Sequence, residues 1–316
     1  MKVLLLGYSN IARRRVLPAF QRLGVTKIDV ASLSTTAVDS TNGVQVRLFR
    51  DYDQALRLTD AELVYVSTVN SGHAHWTRKA LQQGFHVVVD KPAFLSVEEA
   101  RDLTELAERQ QRCLAEATVY SYHPQVALAL AAFEETNVTP THIIAAFSFP
   151  PLSPDNFRYR VEYGGGALWD LGPYAVSLGR VIFGASPSEV IGLRLSERDR
   201  VDTAFCMMAS YPGGRGCSGA FGYTTGYLNR LDILGPGTVL TIDRAFSPPA
   251  DAATMMTIRQ NDQLRTIHVP PADSFALFLE DVLGAIVLRD YGRFSDLIIA
   301  DALALDRLRR SASLDQ

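Results

Sequence analysis

Short apolar runs alternate with helical patterns through the first 120 or so residues, the signature of βαβ units on a parallel sheet. The pattern predicts strands over 3–6, 27–31, 63–67, 86–89 and 114–118, and helices over 10–23, 55–58, 73–83 and 97–110. Gly24 and Gly84 stop two of these helices, and Ser96 with Glu99 forms a helix-start pair. Past Tyr120 the pattern changes. Helices are predicted over 125–135 and 168–182, a strand over 142–149, and a run of strands over 189–196, 203–211, 216–223, 229–235 and 239–243. Pro212-Gly213-Gly214 and Gly235-Pro236-Gly237 punctuate that run. Helices over 274–287 and 294–309 close the chain. The reading is α/β: an N-terminal Rossmann dinucleotide-binding domain over 1–120, then a C-terminal α+β domain over 121–316 with an open, mostly antiparallel sheet. The last helix is allowed to pack back on the first domain. The stretch 203–211 is apolar on both faces, with Phe205, Met207 and Ala209 on one and Ala204, Cys206 and Met208 on the other. A homo-oligomer, dimer or tetramer, is expected to cover the outer face.

Composition narrows the classes. The 316 residues carry a formal charge of −3, which offers no footprint for nucleic acid. No apolar stretch reaches the ~18 residues a membrane span needs. The opening Met1–Gly7 is too short for a signal sequence and reads as a buried strand. Cys113, Cys206 and Cys217 are too scattered for a disulfide framework or a metal knot. A cytoplasmic setting and no metal are the expectations.

Gly7-Tyr8-Ser9-Asn10-Ile11-Ala12 lies between the first strand and first helix, the place of a G-x-G-x-x-G phosphate turn. Ser9 and Ala12 replace the second and third glycines. Both are small, and the helix start still offers N–H groups to a phosphate. The second strand ends Asp29-Val30-Ala31-Ser32-Leu33-Ser34. Asp29 comes too early to hold a ribose 2′-hydroxyl, so Ser32 takes that position. A serine without an acid does not repel a 2′-phosphate, and Arg13 or Arg14 stands nearby in sequence. NADP(H) is favoured over NAD(H), unless the arginines only solvate a helix face.

Two more segments are informative. One runs Ser67-Thr68-Val69-Asn70-Ser71-Gly72-His73 and on to Asp90-Lys91-Pro92. The other is Gly164-Gly165-Gly166-Ala167-Leu168-Trp169-Asp170-Leu171-Gly172-Pro173-Tyr174. With the N-terminal turn, these resemble three motifs of the Gfo/Idh/MocA oxidoreductase family: T-P-N-x-x-H, E-K-P and G-G-G-x-L-x-D-x-G-x-[HY]. Val69 stands for the usual Pro and Asp90 for Glu. Tyr174 stands where inositol-dehydrogenase-like members have His, as in the sugar-ketoreductase branches. The resemblance implies cofactor contacts from Thr68, Asn70, His73, Asp90, Lys91 and Pro92. It also implies hydride transfer at a sugar or nucleotide-sugar carbon.

Hydride transfer to a ketone leaves negative charge on oxygen, so a proton donor must stand beside it. Tyr174 would donate, and the Lys91 ammonium would favour its phenolate and steady the alkoxide. Asp170, four residues before Tyr174, would share its helical face and orient Lys91 or a substrate hydroxyl, or only support the helix start. The glycine run would let backbone approach the nicotinamide or sugar. His123 either lines the substrate cleft or is structural. Arg158 and Arg160 either hold a phosphorylated or nucleotide-linked sugar or solvate a loop. Alternatives are a free-sugar or cyclic-diol dehydrogenase and a non-catalytic NAD(P)-binding regulator.

Overall fold

The computed structural model describes residues 1–35, 37–38 and 44–312. The first elements are β1 (Val3–Leu6), a π-helical turn (Ala12–Val16) that runs into α1 (Leu17–Arg22), β2 (Lys27–Ala31), β3 (Gln45–Phe49) and α2 (Tyr52–Leu58). They continue with β4 (Leu63–Val66), α3 (His73–Gln82), β5 (His86–Val89), α4 (Val97–Arg109) and β6 (Leu114–Glu116). The six strands form one parallel sheet in the order β3-β2-β1-β4-β5-β6. Every residue of β1 and β4 is buried, as expected when helices cover both faces of a parallel sheet. At α4, Ser96 Oγ accepts the Glu99 N–H at 3.1 Å, and the Glu99 carboxylate reaches back to the Leu95 N–H at 3.1 Å. The helix-start pair therefore closes one residue further back than the usual box.

The next elements are α5 (Pro124–Glu135), β7 (His142–Ser148), α6 (Ala167–Asp170), α7 (Gly172–Phe183), β8 (Glu189–Arg198), β9 (Val201–Tyr211) and β10 (Arg215–Gly222). Then come β11 (Leu228–Gly235), β12 (Thr238–Asp243), β13 (Thr254–Gln260) and β14 (Gln263–Val269). Their sheet is eight-stranded and open, in the order β14-β13-β12-β11-β7-β10-β9-β8. All pairs are antiparallel except β7 with β10. Phe205, Met207, Ile143, Phe221, Ile233 and Leu240 pack in one core with Ala175, Val176 and Leu178 of α7. The chain ends with α8 (Ser274–Leu288) and α9 (Gly292–Ala312).

The sequence pattern had no strand at β3, β13 or β14. The helix expected over 168–182 is two helices, broken at Leu171. Pro173 has no N–H to give the Trp169 carbonyl four residues back, so the ladder is interrupted there and Pro173 sits in the first turn of a new helix, where its missing N–H costs nothing. The chain divides into two units. One holds Met1–Ala117 and Phe275–Ala302. The other holds Thr118–Ser274 and the described residues from Leu303. Residues 275–302 therefore group with the first unit rather than with a domain running unbroken from 121. Ile298 is the reason: it is buried among Leu103, Leu106 and Leu114.

Candidate active site

In the first unit, strand order reverses between β1 and β4, and in such sheets the crevice beyond the carboxyl ends of the strands is the ligand position. Gly7 follows β1 there with φ +99°. A Cβ on it would stand 2.4 Å from the Ser67 carbonyl oxygen, so only glycine fits this turn. Ser9, in the place of the second motif glycine, works through its hydroxyl. Its Oγ accepts the Ala12 N–H at 3.0 Å and lies 2.7 Å from Ser67 Oγ. Ser67 donates to Asp90 Oδ2, and the Tyr65 phenol donates to Asp90 Oδ1 at 2.6 Å. The chain of donors has one consistent direction: Ala12 N–H to Ser9, Ser9 to Ser67, Ser67 to the Asp90 carboxylate. The first helix start is thereby tied to the loop that carries Lys91. Asn10 and Ile11 are exposed at that helix start, and Tyr8 is half-buried.

After β2, Ser32 is buried and its Oγ accepts the Thr35 N–H at 3.1 Å. Asp29 is fully engaged elsewhere. Arg47 of β3 forks onto it at 3.1 and 2.6 Å, and Thr59 donates to it at 2.7 Å. Thr68 and Asn70 follow β4, with Asn70 buried and the Thr68 hydroxyl 3.3 Å from the Val69 carbonyl. His73 is fully buried, with Nδ1 2.8 Å from the Pro92 carbonyl and Nε2 3.2 Å from that of Thr68. Its ring spans the loops after β4 and β5. Burial lowers its pKa and the Lys91 charge adds to that, against the pull of Asp90. The Lys91–Pro92 peptide is cis, Pro92 is buried and Lys91 is half-buried.

A cavity of about 700 Å³ in this unit is lined by His86, Arg112, Tyr291 and Asp296, among others. It opens at the amino end of β5, the opposite edge of the sheet, and no residue predicted for the site lines it.

In the second unit, Tyr174 sits in a nest of rings, with centroids 5.3 Å from Phe147, 5.5 Å from Phe246 and 5.8 Å from Tyr120. Phe246 stacks on Phe147 at 5.3 Å. Buried Asn229 positions it, accepting the Phe246 N–H at 3.0 Å and donating to Ser247 Oγ at 2.8 Å. Asp170 is buried and receives a two-point pair from Arg158, Nε to Oδ2 at 2.7 Å and Nη2 to Oδ1 at 3.2 Å. Burial works against the Arg158 charge, but Asp170 outweighs it and raises the guanidinium above its ordinary value.

Three expectations change in this unit. The break at Leu171 removes the shared helical face from Asp170 and Tyr174. Arg158 belongs to an ion pair rather than to a solvated loop, whereas Arg160 is exposed and lies 3.8 Å from Glu162. The glycine run serves packing: a Cβ on Gly165 would meet the Arg158 carbonyl at 2.5 Å, and one on Gly166 would meet Asp202 Oδ1 at 2.5 Å. Asp202, absent from the motifs, accepts the Leu168 N–H at 2.6 Å and starts α6. Burial raises its carboxyl pKa, partly offset by that N–H. His123 is buried, and its Nδ1 faces the Gln125 N–H at 3.4 Å at the start of α5, a capping position. Tyr65, Asp202, Asn229 and Phe246 carry no motif. Only long-range partners mark them.

Among the described residues no group of three or more His, Cys, Asp or Glu is arranged to hold a metal ion, and no helix is long and apolar enough to cross a membrane.

Residues 1–118 match the family model GFO_IDH_MocA, "Oxidoreductase family, NAD-binding Rossmann fold", and residues 138–240 match "GFO/IDH/MocA C-terminal domain". The dTDP-3,4-didehydro-2,6-dideoxy-alpha-D-glucose 3-reductase of Streptomyces violaceoruber is 30% identical, covering 98% of this chain and 94% of its own length. D-xylose 1-dehydrogenase (NADP(+)) 2 of Haloferax volcanii is 26% identical, covering 89% of this chain and 88% of its own. The crystal structure of KijD10, a 3-ketoreductase from Actinomadura kijaniata with NADP and TDP-benzene, matches with a TM-score of 0.91 at 26% identity, over 98% of this chain and 97% of that one.

Proposed function

This chain belongs to the Gfo/Idh/MocA oxidoreductase family, and from that premise we propose that it is an NADP(H)-dependent reductase of a nucleotide-linked keto sugar, with Tyr174 as proton donor and Lys91 as its electrostatic partner. The observation that carries the reading is likeness along nearly the whole chain to a dTDP-keto-sugar 3-reductase, with Lys91, Asp170 and Tyr174 all present.

The crevice residues fit a dinucleotide. The Gly7 turn leaves no room for a side chain, and residues 8–11 open a helix whose first N–H groups suit a pyrophosphate. Ser32 keeps its O–H for the ribose, and no carboxylate there would repel a 2′-phosphate, since Asp29 is bound by Arg47. Ile11 and Leu33 are 42% and 67% exposed; these apolar side chains would lose water against the cofactor's rings. Thr68, Asn70, Asp90, Lys91 and Pro92 would border the nicotinamide, with His73 holding their loops together.

When bound, the nicotinamide supplies hydride to the carbonyl carbon. The phenol of Tyr174 gives its proton to the oxygen that turns negative. The Lys91 ammonium stabilises that oxygen and then the phenolate. Phe147, Phe246 and Tyr120 hold the Tyr174 ring, which is half-buried among them. Arg160, exposed between two short helical turns, would meet the charged part of the nucleotide.

A second copy of the chain covers the open face of the eight-stranded sheet, giving a dimer or tetramer. Ile191, Leu193 and Leu195 of β8, Met208 of β9 and Ile144 of β7 are all at least 45% exposed. The register aligns Ile191, Met208, Ser218 and Ile144 in one row across four strands. Next to them Arg230 forks onto Asp232 and neutralises it. A nearly uncharged apolar face suits contact with its own image.

The test is a fluorescence titration with NADPH and NADH, then turnover on a dTDP-linked 3-keto sugar and on free aldoses. NADPH is expected to bind at least about tenfold more tightly than NADH. Y174F and K91A are expected to lower turnover by about 10²-fold or more with NADPH binding retained. Faster turnover of a free aldose would move the assignment to the runner-up, which the likeness to a xylose dehydrogenase favours. NADPH binding with no turnover on any of these, unaltered in both variants, would make the chain a sensor.

A further inference from the structure

Ser9 stands where the phosphate turn ordinarily has its second glycine, and its hydroxyl is engaged within the protein at both ends. It accepts the Ala12 N–H at 3.0 Å and lies 2.7 Å from Ser67 Oγ. Ser67 is buried and gives its one hydrogen to Asp90 Oδ2, so towards Ser9 it can only accept. Each hydroxyl thus donates once and accepts once, and the order of donors is fixed. The fully buried Tyr65 phenol donates to Asp90 Oδ1 at 2.6 Å. Both oxygens of the carboxylate are therefore held by hydroxyl groups, in bonds that its charge strengthens.

The backbone brings the three loops after β1, β4 and β5 side by side. Gly7 lies so close to the Ser67–Thr68 peptide that a Cβ on it would stand 2.4 Å from the Ser67 carbonyl oxygen and 3.0 Å from the Thr68 nitrogen. The Ser67 N–H donates to the Leu6 carbonyl at 2.8 Å, and the Asp90 N–H donates to the Val66 carbonyl at 3.0 Å. The Ser9–Ser67–Asp90 line crosses all three loops through side chains alone. Beyond it, His73 Nδ1 lies 2.8 Å from the Pro92 carbonyl. Lys91 therefore leaves the chain between two anchored neighbours, Asp90 and Pro92.

We infer that Ser9 is a positioning residue that couples the phosphate turn to the Lys91 loop, so that restoring the customary glycine at position 9 weakens the hold on the cofactor instead of improving it. The inference rests on the reading of residues 7–12 as the pyrophosphate turn and of the Lys91 loop as the border of the nicotinamide. A glycine at position 9 removes the acceptor for the Ala12 N–H and the donor to Ser67 Oγ, and it loosens the backbone of the turn. Turn and loop then settle independently. A dinucleotide that touches both has to align them as it binds, which costs affinity. A ligand that reaches the turn but not the Lys91 loop is spared that cost.

The experiment is a fluorescence titration of the full chain with NADPH, paired with displacement of NADPH by 2′-phospho-ADP-ribose, the same dinucleotide without its nicotinamide. It compares wild type with S9G, S9A, S67A and S9A/S67A. S9G and S9A should each weaken NADPH binding by about tenfold. The same variants should weaken 2′-phospho-ADP-ribose by no more than about twofold. S67A should weaken NADPH in the same sense. S9A/S67A should stay within about twofold of the worse single variant, because both changes delete one shared bond.

Equal losses for the two nucleotides would confine Ser9 to shaping the phosphate turn and overturn the inference while the cofactor reading stands. Wild-type or tighter NADPH binding in S9G would overturn it too, as would losses in S9A and S67A that multiply in the double variant. Failure of the wild type to bind NADPH would instead remove the cofactor reading and the inference with it. Should S9G fail to fold, S9A, S67A and their double variant decide the matter, since none of them adds a glycine to the turn.

Discussion

An alanine at position 7 would place its methyl carbon 2.4 Å from the Ser67 carbonyl oxygen and force a side chain into φ +99°. G7A is therefore expected to lower stability by about 2–3 kcal/mol and to lose NADPH binding. Parallel urea melts and fluorescence titrations check this, and wild-type values in both would contradict the turn geometry. Residues of this kind were legible in the sequence, because a glycine at a strand end announces its backbone. Lys91 and Tyr174 were legible through motif order. Tyr65 and Asp202 were not. Each acts through a partner more than 20 residues away, and nothing local in the chain marks that partnership. The same blindness gave Arg158 a solvated alternative, since its value lies in a carboxylate it meets only after folding.

Helix ends were read well where the signal is local. Ser96 caps α4 as its spacing to Glu99 suggests, and S96A is expected to reduce stability by about 1 kcal/mol in a denaturant titration. Strand edges were read poorly. β3 and β14 are the outermost strands of their sheets, and both carry exposed polar positions between their apolar ones. An edge strand needs less apolar surface than a central one, so its pattern fades into that of a loop. The β5–β6 pair holds a pH-sensitive bond. His86 Nδ1 accepts the Cys113 N–H at 2.9 Å, which a protonated ring cannot do. Burial, with the Arg112 charge, lowers the His86 pKa from 6.5 to about 4. The folded state therefore resists a proton that the unfolded chain takes up below about pH 6.5. Stability is full above that pH and declines as pH falls towards about 4, by roughly 2 kcal/mol. H86Q should flatten that part of the profile; urea midpoints at about pH 7 and pH 4.5 measure it, and an equal acid loss in wild type and variant would rule His86 out as the cause.

At the scale of the molecule, the two layer types were evident from the switch between alternating and consecutive strand patterns. The division near residue 120 was legible as well, since the units part between Ala117 and Thr118; the return of 275–302 to the first unit was less so, because those residues contribute to a core laid down far earlier in the chain. The exposed sheet face carries its own prediction. Ile191 and Met208 are cross-strand neighbours, and the double variant I191K/M208K should reduce the mass seen by light scattering to that of one 34.7 kDa chain. A variant that keeps the wild-type mass, or a wild type already monomeric, would refute the proposed contact.

The ownership of α9 has a consequence for how the protein is made. Ile298 belongs to the core of the first unit, and Leu305 and Leu308 belong to that of the second. A ribosome that has not yet reached Ile298 has thus finished neither core. Nonsense or frameshift lesions before Ile298 should abolish both halves together rather than spare the nucleotide-binding one.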